Sequence, residues 1–165
     1  MLDSPQTIQR GFTLMETMIV IALMGIIAAI AIPSFMSLLP GMRLNGAARM
    51  VMGDLMAARM KAVKLNQKTE VFFDNNHQYR ICNDANEDKV VDDGEGENVS
   101  RDIWEKGKDY IDVTLSASTS PVFSPRGTGP APSCTIRVAS TSNGRSKLVK
   151  ALMTGRVIIE DSPSD

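Results

Sequence analysis

Two apolar patterns follow one another along the first 65 residues. From Met18 to Ile32 no position is charged, so that segment is apolar on every side. Beyond Gly41 the apolar residues thin into a stripe. Leu44, Ala48, Val51, Leu55, Ala58, Ala62 and Leu65 recur at steps of four and three, the spacing that puts side chains on one helical face. Met52, Met56 and Val63 widen the stripe and read as adaptable core filling, while Arg43, Asp54, Lys61 and Lys64 fall on other faces. The first pattern predicts a helix over Phe12–Leu39, about 42 Å long at ~1.5 Å per residue and longer than the roughly 30 Å hydrocarbon core of a bilayer. Pro33 lacks a backbone donor, so it either kinks a continuing helix or ends one. Gly25 and the Pro40-Gly41 pair add softness.

After Asn66 the period changes. Thr69–Asp74, Gln78–Cys82, Ile111–Leu115, Cys134–Ala139, Leu148–Leu152 and Arg156–Glu160 are short, rich in β-branched or apolar residues, and separated by turn residues. Asp74-Asn75-Asn76, Ser142-Asn143-Gly144 and Thr154-Gly155 read as tight turns. Ser116–Ser133, rich in Ser, Pro and Gly, reads as a surface loop around one short strand at Val122-Phe123. A long helix followed by hairpin strands predicts an α+β fold, with the helix covering one face of an antiparallel sheet.

At 165 residues the chain holds one compact domain plus the apolar helix. Eighteen Lys and Arg against nineteen Asp and Glu leave a formal charge of −1, which announces no polyanionic partner. The distribution is uneven. Asp84, Glu87, Asp88, Asp92, Asp93, Glu95 and Glu97 cluster around Lys89, whereas Arg126, Arg137, Arg145, Lys147, Lys150 and Arg156 occupy a stretch without acids. Asp84, Asn86, Asp88, Asp92 and Glu95 stand at positions one, three, five, nine and twelve of a loop, the spacing of calcium ligands, with Val90 offering a carbonyl. Lys89 replaces the glycine of the sharp turn, and no flanking helices are evident. The segment is therefore either a non-helical Ca2+ site or a solvated acidic loop. Cys82 and Cys134 allow one disulfide, or two buried thiols. The lone histidine, His77, falls in a hairpin turn. With no phosphate loop, Cys-x-x-Cys or paired-histidine motif, nothing points to catalysis. Trp104 reads as core or partly buried packing.

Glu16 stands alone at the mouth of the apolar run. Charged residues at a bilayer centre cost on the order of 2.5–3.5 kcal/mol, so the position calls for a functional reading. Gly11–Phe12 is an attractive cleavage junction that precedes the apolar segment, whereas an ordinary secretory signal is cut after it. The stretch Arg10-Gly11-Phe12-Thr13-Leu14-Met15-Glu16, with the apolar helix and Pro33, resembles the class III signal of type IV pilins and type II secretion pseudopilins. Val122–Gly129, the strand at Thr135–Ala139 and Gly155-Arg156-Val157 more loosely resemble the GspH/FimT-type minor pilins.

The resemblance implies a leader at 1–11, a membrane and assembly helix at 12–39, an amphipathic continuation at 40–66 and a β-rich head at 67–165. It implies cleavage after Gly11 by a prepilin peptidase, N-methylation of Phe12, and a Glu16 carboxylate that meets the Phe12 amine of a neighbouring pilin subunit. The head would face the periplasm from the inner membrane. Two other readings compete. A DNA-uptake minor pilin would gather its basic residues from 126 to 156 on one face, and an ordinary membrane-anchored periplasmic protein would never be cut.

Overall fold

The computed structural model describes residues 12–86, 91–92, 96, 99–104 and 110–162. The chain divides into two compact units, Met1–Leu38 and Leu39–Asp165. One helix, α1 (Leu14–Leu65), supplies the described structure of the first unit apart from Phe12 and Thr13. The helical backbone continues through Pro33, so that proline does not end it. In its most apolar window the mean hydropathy is 2.6 and none of the surface is buried. Such a surface requires apolar surroundings from outside the unit.

The second unit begins with the stripe. Leu44, Ala47, Ala48, Val51, Leu55, Ala58 and Ala62 are buried. The expected face is therefore correct to Ala62, with Ala47 added, while Leu65 at the helix end is exposed. The end is built by Asn66, whose φ is 55°. Its N–H donates to Val63 O, and the Gln67 N–H donates to Ala62 O, the pair of hydrogen bonds that satisfies the last carbonyls of a helix closed by a left-handed residue.

Eight strands follow: β1 (Thr69–Phe73), β2 (Gln78–Asn83), β3 (Val99–Asp102), β4 (Val113–Ala117), β5 (Val122–Phe123), β6 (Cys134–Ser140), β7 (Ser146–Ala151) and β8 (Val157–Asp161). They form two antiparallel four-stranded sheets, ordered β3-β2-β1-β5 and β4-β6-β7-β8, where a single sheet was expected. The chain enters the second sheet at β4, returns to the first with β5, and completes the second with β6 to β8. Which sheet a strand joins depends on its partners, and local sequence does not carry that. Leu55 and Val51 of the helix, Val71, Tyr79 and Ile81 of the first sheet, and Ile136, Val138 and Val149 of the second share one core.

β3 was not anticipated, because Val99-Ser-Arg-Asp lacks an apolar alternation. It is fixed by a polar junction instead. The Asp54 carboxylate on α1 accepts from Tyr79 Oη at 2.5 Å and from Arg101 Nε and Nη2 at 3.0 and 3.2 Å. Burial, then Asp54, push the Tyr79 phenol well above its ordinary range, and the bond to Asp54 raises the Arg101 guanidinium.

Candidate assembly motif and head groove

Phe12 and Thr13 precede the helix, and Leu14 is its first residue. Thr13 Oγ1 accepts the Glu16 N–H at 3.2 Å, and the Thr17 N–H reaches Thr13 O at 3.2 Å. Thr13 is thus the N-cap, and Glu16 is the third helical residue. A cap of this kind contributes about 0.5–2 kcal/mol, and a carboxylate in the first turn suits the positive end of the helix dipole. Sequence reasoning passed over Thr13, although its spacing to Glu16 is that of a capping box. Phe12 is 80% exposed and Glu16 is exposed. Glu16 is the only charged residue of α1 before Arg43. Gly11 lies outside the described residues.

The head carries a second feature. Loop 124–129 meets the turn at 154–155 with almost no space between their backbones. Gly127 and Gly155 have φ of 77° and 80°. A Cβ on Gly155 would stand 2.0 Å from Gly127 O, and one on Gly129 would stand 2.1 Å from Leu152 O. Arg59 on α1 donates from Nε to Gly127 O at 2.8 Å, and the Gly129 N–H reaches Met153 O at 3.0 Å. The glycines noted in the sequence are thus places where two loops and a helix side chain converge.

Beside this junction runs an open groove of about 1150 Å³. Met52, Met56, Met60 and Val63 of α1 form one wall, and Val157, Ile158 and Ile159 of β8 form another. Met52 is half-buried against the core as expected, but Met56 is 39% exposed and Val63 52%, so for those two the expectation that they widen the core is corrected; Met60, in the same row, is 72% exposed. Their step of four, offset from the buried stripe, was the available signal. Arg59, Lys64, Arg126 and Arg156 also line the groove, and no acid does.

The basic residues do not converge. Arg126 and Arg156 line this groove, whereas Arg137, Arg145 and Lys147 line a second one of about 640 Å³. Lys147 pairs with Asp161, and Lys150 with Glu160 at 2.6 Å.

Of the five oxygen donors expected for calcium, Asp88 and Glu95 lie outside the described residues, as does Val90. Asp84 is buried, while Asn86 and Asp92 are exposed. Among the described residues no group of three or more His, Cys, Asp and Glu could hold a metal ion.

Of the two readings of Cys82 and Cys134, the structure has the buried thiols and no disulfide. Each is a separate buried thiol, Cys82 on β2 of one sheet and Cys134 on β6 of the other. Cys134 Sγ donates to Thr119 O at 2.9 Å. His77 stacks on Trp104 with ring centroids 4.1 Å apart, and Trp104 Nε1 donates to Val113 O at 2.6 Å. Both side chains therefore have packing roles.

Comparison with known proteins agrees with these features. Residues 47–155 match the family described as Type II transport protein GspH, and residues 7–32 match the prokaryotic N-terminal methylation motif. The pilin-like protein PilA1 of Thermus thermophilus is 27% identical over 158 residues, which cover 92% of this chain and 99% of that one. The type IV major pilin protein PilE1 of Neisseria gonorrhoeae is 62% identical over 29 residues, 18% of each chain. In fold, the chain resembles the type IV minor pilin FimU of Pseudomonas aeruginosa, with a TM-score of 0.55 at 19% identity, covering 73% of this chain and 90% of that one. It also resembles the minor pseudopilin EpsH from the Type 2 Secretion System of Vibrio cholerae, with a TM-score of 0.55 at 11% identity and coverage of 74% and 99%.

Proposed function

Since the chain belongs to the GspH family of pilin-like and pseudopilin subunits, which are structural proteins and not enzymes, we propose that it is a prepilin cut between Gly11 and Phe12, N-methylated at Phe12, and built into a type IV pilus or type II secretion pseudopilus as a minor subunit. Prepilin peptidase and other pilin subunits are its partners in this reading. The helix over 12–39 anchors it in the inner membrane with the head in the periplasm, and then joins the apolar core of the filament.

One observation carries the reading. The apolar part of α1 before Arg43 bears a single charge, Glu16, in a capped first turn four residues from the amine that cleavage would create. Leaving either charge alone in apolar surroundings is costly. Meeting the Phe12 amine of a neighbour neutralises both, which gives the helices a fixed stagger. The division of basic residues between two grooves and two ion pairs favours this structural role over DNA binding.

The test compares wild type with Glu16→Ala by N-terminal sequencing, mass spectrometry and analysis of sheared filaments. Both proteins should begin at a methylated Phe12. The variant should stay in the membrane and be strongly depleted from filaments. A wild-type chain that retains residues 1–11, or a Glu16→Ala chain found in filaments at wild-type levels, overturns the reading.

A further inference from the structure

The groove beside the Gly127–Gly155 junction has no part in processing or in the Glu16 contact, and three observations define what would fill it. The first is the strand edge. β8 ends its sheet, and among the described residues no strand pairs with its outer side. Successive side chains of a strand point to opposite faces, yet Val157, Ile158 and Ile159 all line the groove. Three consecutive residues, one of them the buried Val157, line it together where a groove follows the backbone of an edge strand, and it is along such an edge that unpaired N–H and C=O groups lie. The second is the opposite wall, in which Met56, Met60 and Val63 present exposed, adaptable apolar side chains. The third is charge. Lys64, Arg126 and Arg156 are exposed at the groove, no acid lines it, and neither Arg126 nor Arg156 makes an ion pair among the described residues. Its volume of about 1150 Å³ exceeds the roughly 300–1,000 Å³ of small-molecule sites.

We propose that this groove binds an extended acidic polypeptide segment of a partner protein, which adds as a strand to the outer edge of β8. Main-chain hydrogen bonds to β8 hold the segment. Alternate side chains that are apolar pack on Met56, Met60 and Val63, and the acidic ones between them meet Arg126 and Arg156. Strand addition of this kind takes affinity from the backbone and selectivity from the alternate side chains. The second groove also holds arginines, but it contains Asp161 and lacks the methionine wall. The proposal concerns the head alone and stands or falls separately from cleavage at Gly11.

The test uses full-length protein in detergent micelles and a short capped peptide alternating aspartate with valine. Binding is followed by fluorescence anisotropy, and the β8 amides by hydrogen exchange. The peptide should bind and slow exchange along Val157–Asp161. Arg126→Glu with Arg156→Glu should weaken it about tenfold or more, as should Met60→Asp. Arg137→Glu with Arg145→Glu in the second groove should leave it unchanged. N-methylation of alternate peptide amides, which blocks strand pairing, should abolish binding. No binding by the alternating peptide overturns the proposal. So does equal binding of polyaspartate or of single-stranded DNA, which would make the groove a general anion surface. Unchanged exchange at β8 overturns it as well, and the exposed positions of the substitutions keep misfolding from confusing the result.

Discussion

The part of the chain up to Leu38 and the part from Leu39 onward use the same apolar residue types for opposite ends. In the first, Ile26, Ile27 and Ile30 are more than 60% exposed. In the second, Ile81, Ile103 and Ile136 are almost wholly buried. The first is a helix capped by Thr13, and its side chains remain available to other molecules. The head spends its apolar side chains on itself and fixes what remains with polar junctions such as Asp54 with Tyr79 and Arg101. A residue's hydrophobicity therefore says nothing of its role until its neighbours are known.

That contrast can be broken by single substitutions, read by chemical denaturation of the full-length protein in detergent with Trp104 as the probe. The largest effect is expected at Leu55, 1% exposed. Leu55→Ala should cost about 2–5 kcal/mol through lost burial and a cavity. Ile26→Ala, an equally apolar site, should leave head unfolding within about 0.5 kcal/mol. Equal losses at both would mean that the first part is packed like the second.

A smaller loss is expected from the polar junction. Asp54→Ala leaves Tyr79 Oη and the Arg101 guanidinium without their acceptor. Stranding such groups costs about 1–3 kcal/mol. Asp54→Asn, which keeps one acceptor oxygen, should lose less. If both variants unfold like wild type, the junction is not what ties β3 to the helix.

The smallest effect is a change in pH dependence. Arg80 donates to the Asp74 carboxylate at 2.6 and 2.8 Å and holds its pKa below the ordinary value. A carboxylate depressed in the folded state adds stability above its unfolded pKa of ~3.9, and that stability is lost as pH falls through the lower folded value. Asp74→Asn should flatten the acid limb of a stability–pH curve by removing a small contribution that is present near neutrality, and should change little below the folded pKa. Glu70 works in the other direction, since burial raises its pKa. Its penalty is present above the folded pKa and relieved as pH falls, so Glu70→Gln should slightly stabilise the head at neutral pH. An acid limb unchanged in Asp74→Asn would remove Asp74 as its source.

What the sequence disclosed followed from locality. The stripe from Leu44 to Ala62 is a repeat within one helix, and most of the hairpin strands announce themselves by composition and turns. The run around Gly11, Phe12 and Glu16 is a continuous motif. The division into two sheets depends on pairings between distant segments, as when Thr69 faces Asn83 on one side and Phe123 on the other. β3 was invisible because Arg101 owes its place to Asp54, which is 47 positions earlier. The methionine wall was misread because apolar residues on a helix look the same whether they face a core or a groove. The row offset from the stripe was visible, but its exposure depends on how the strands pack. Cys82 and Cys134 could be counted but not located.

The near-contact between Gly155 and the Gly127 carbonyl sets limits on how this head can vary. Most surface turns accept substitutions because a new side chain can swing into water. Here the space a first carbon would need is already filled by another loop's main chain, 2.0 Å away, so no choice of rotamer relieves it. In a saturation-mutagenesis library selected for folded head alone, positions 129 and 155 should return almost nothing but glycine, while neighbouring exposed Arg126 and Arg156 tolerate broad replacement. Anyone grafting new sequences onto this scaffold would have to leave that pair of loops as a unit.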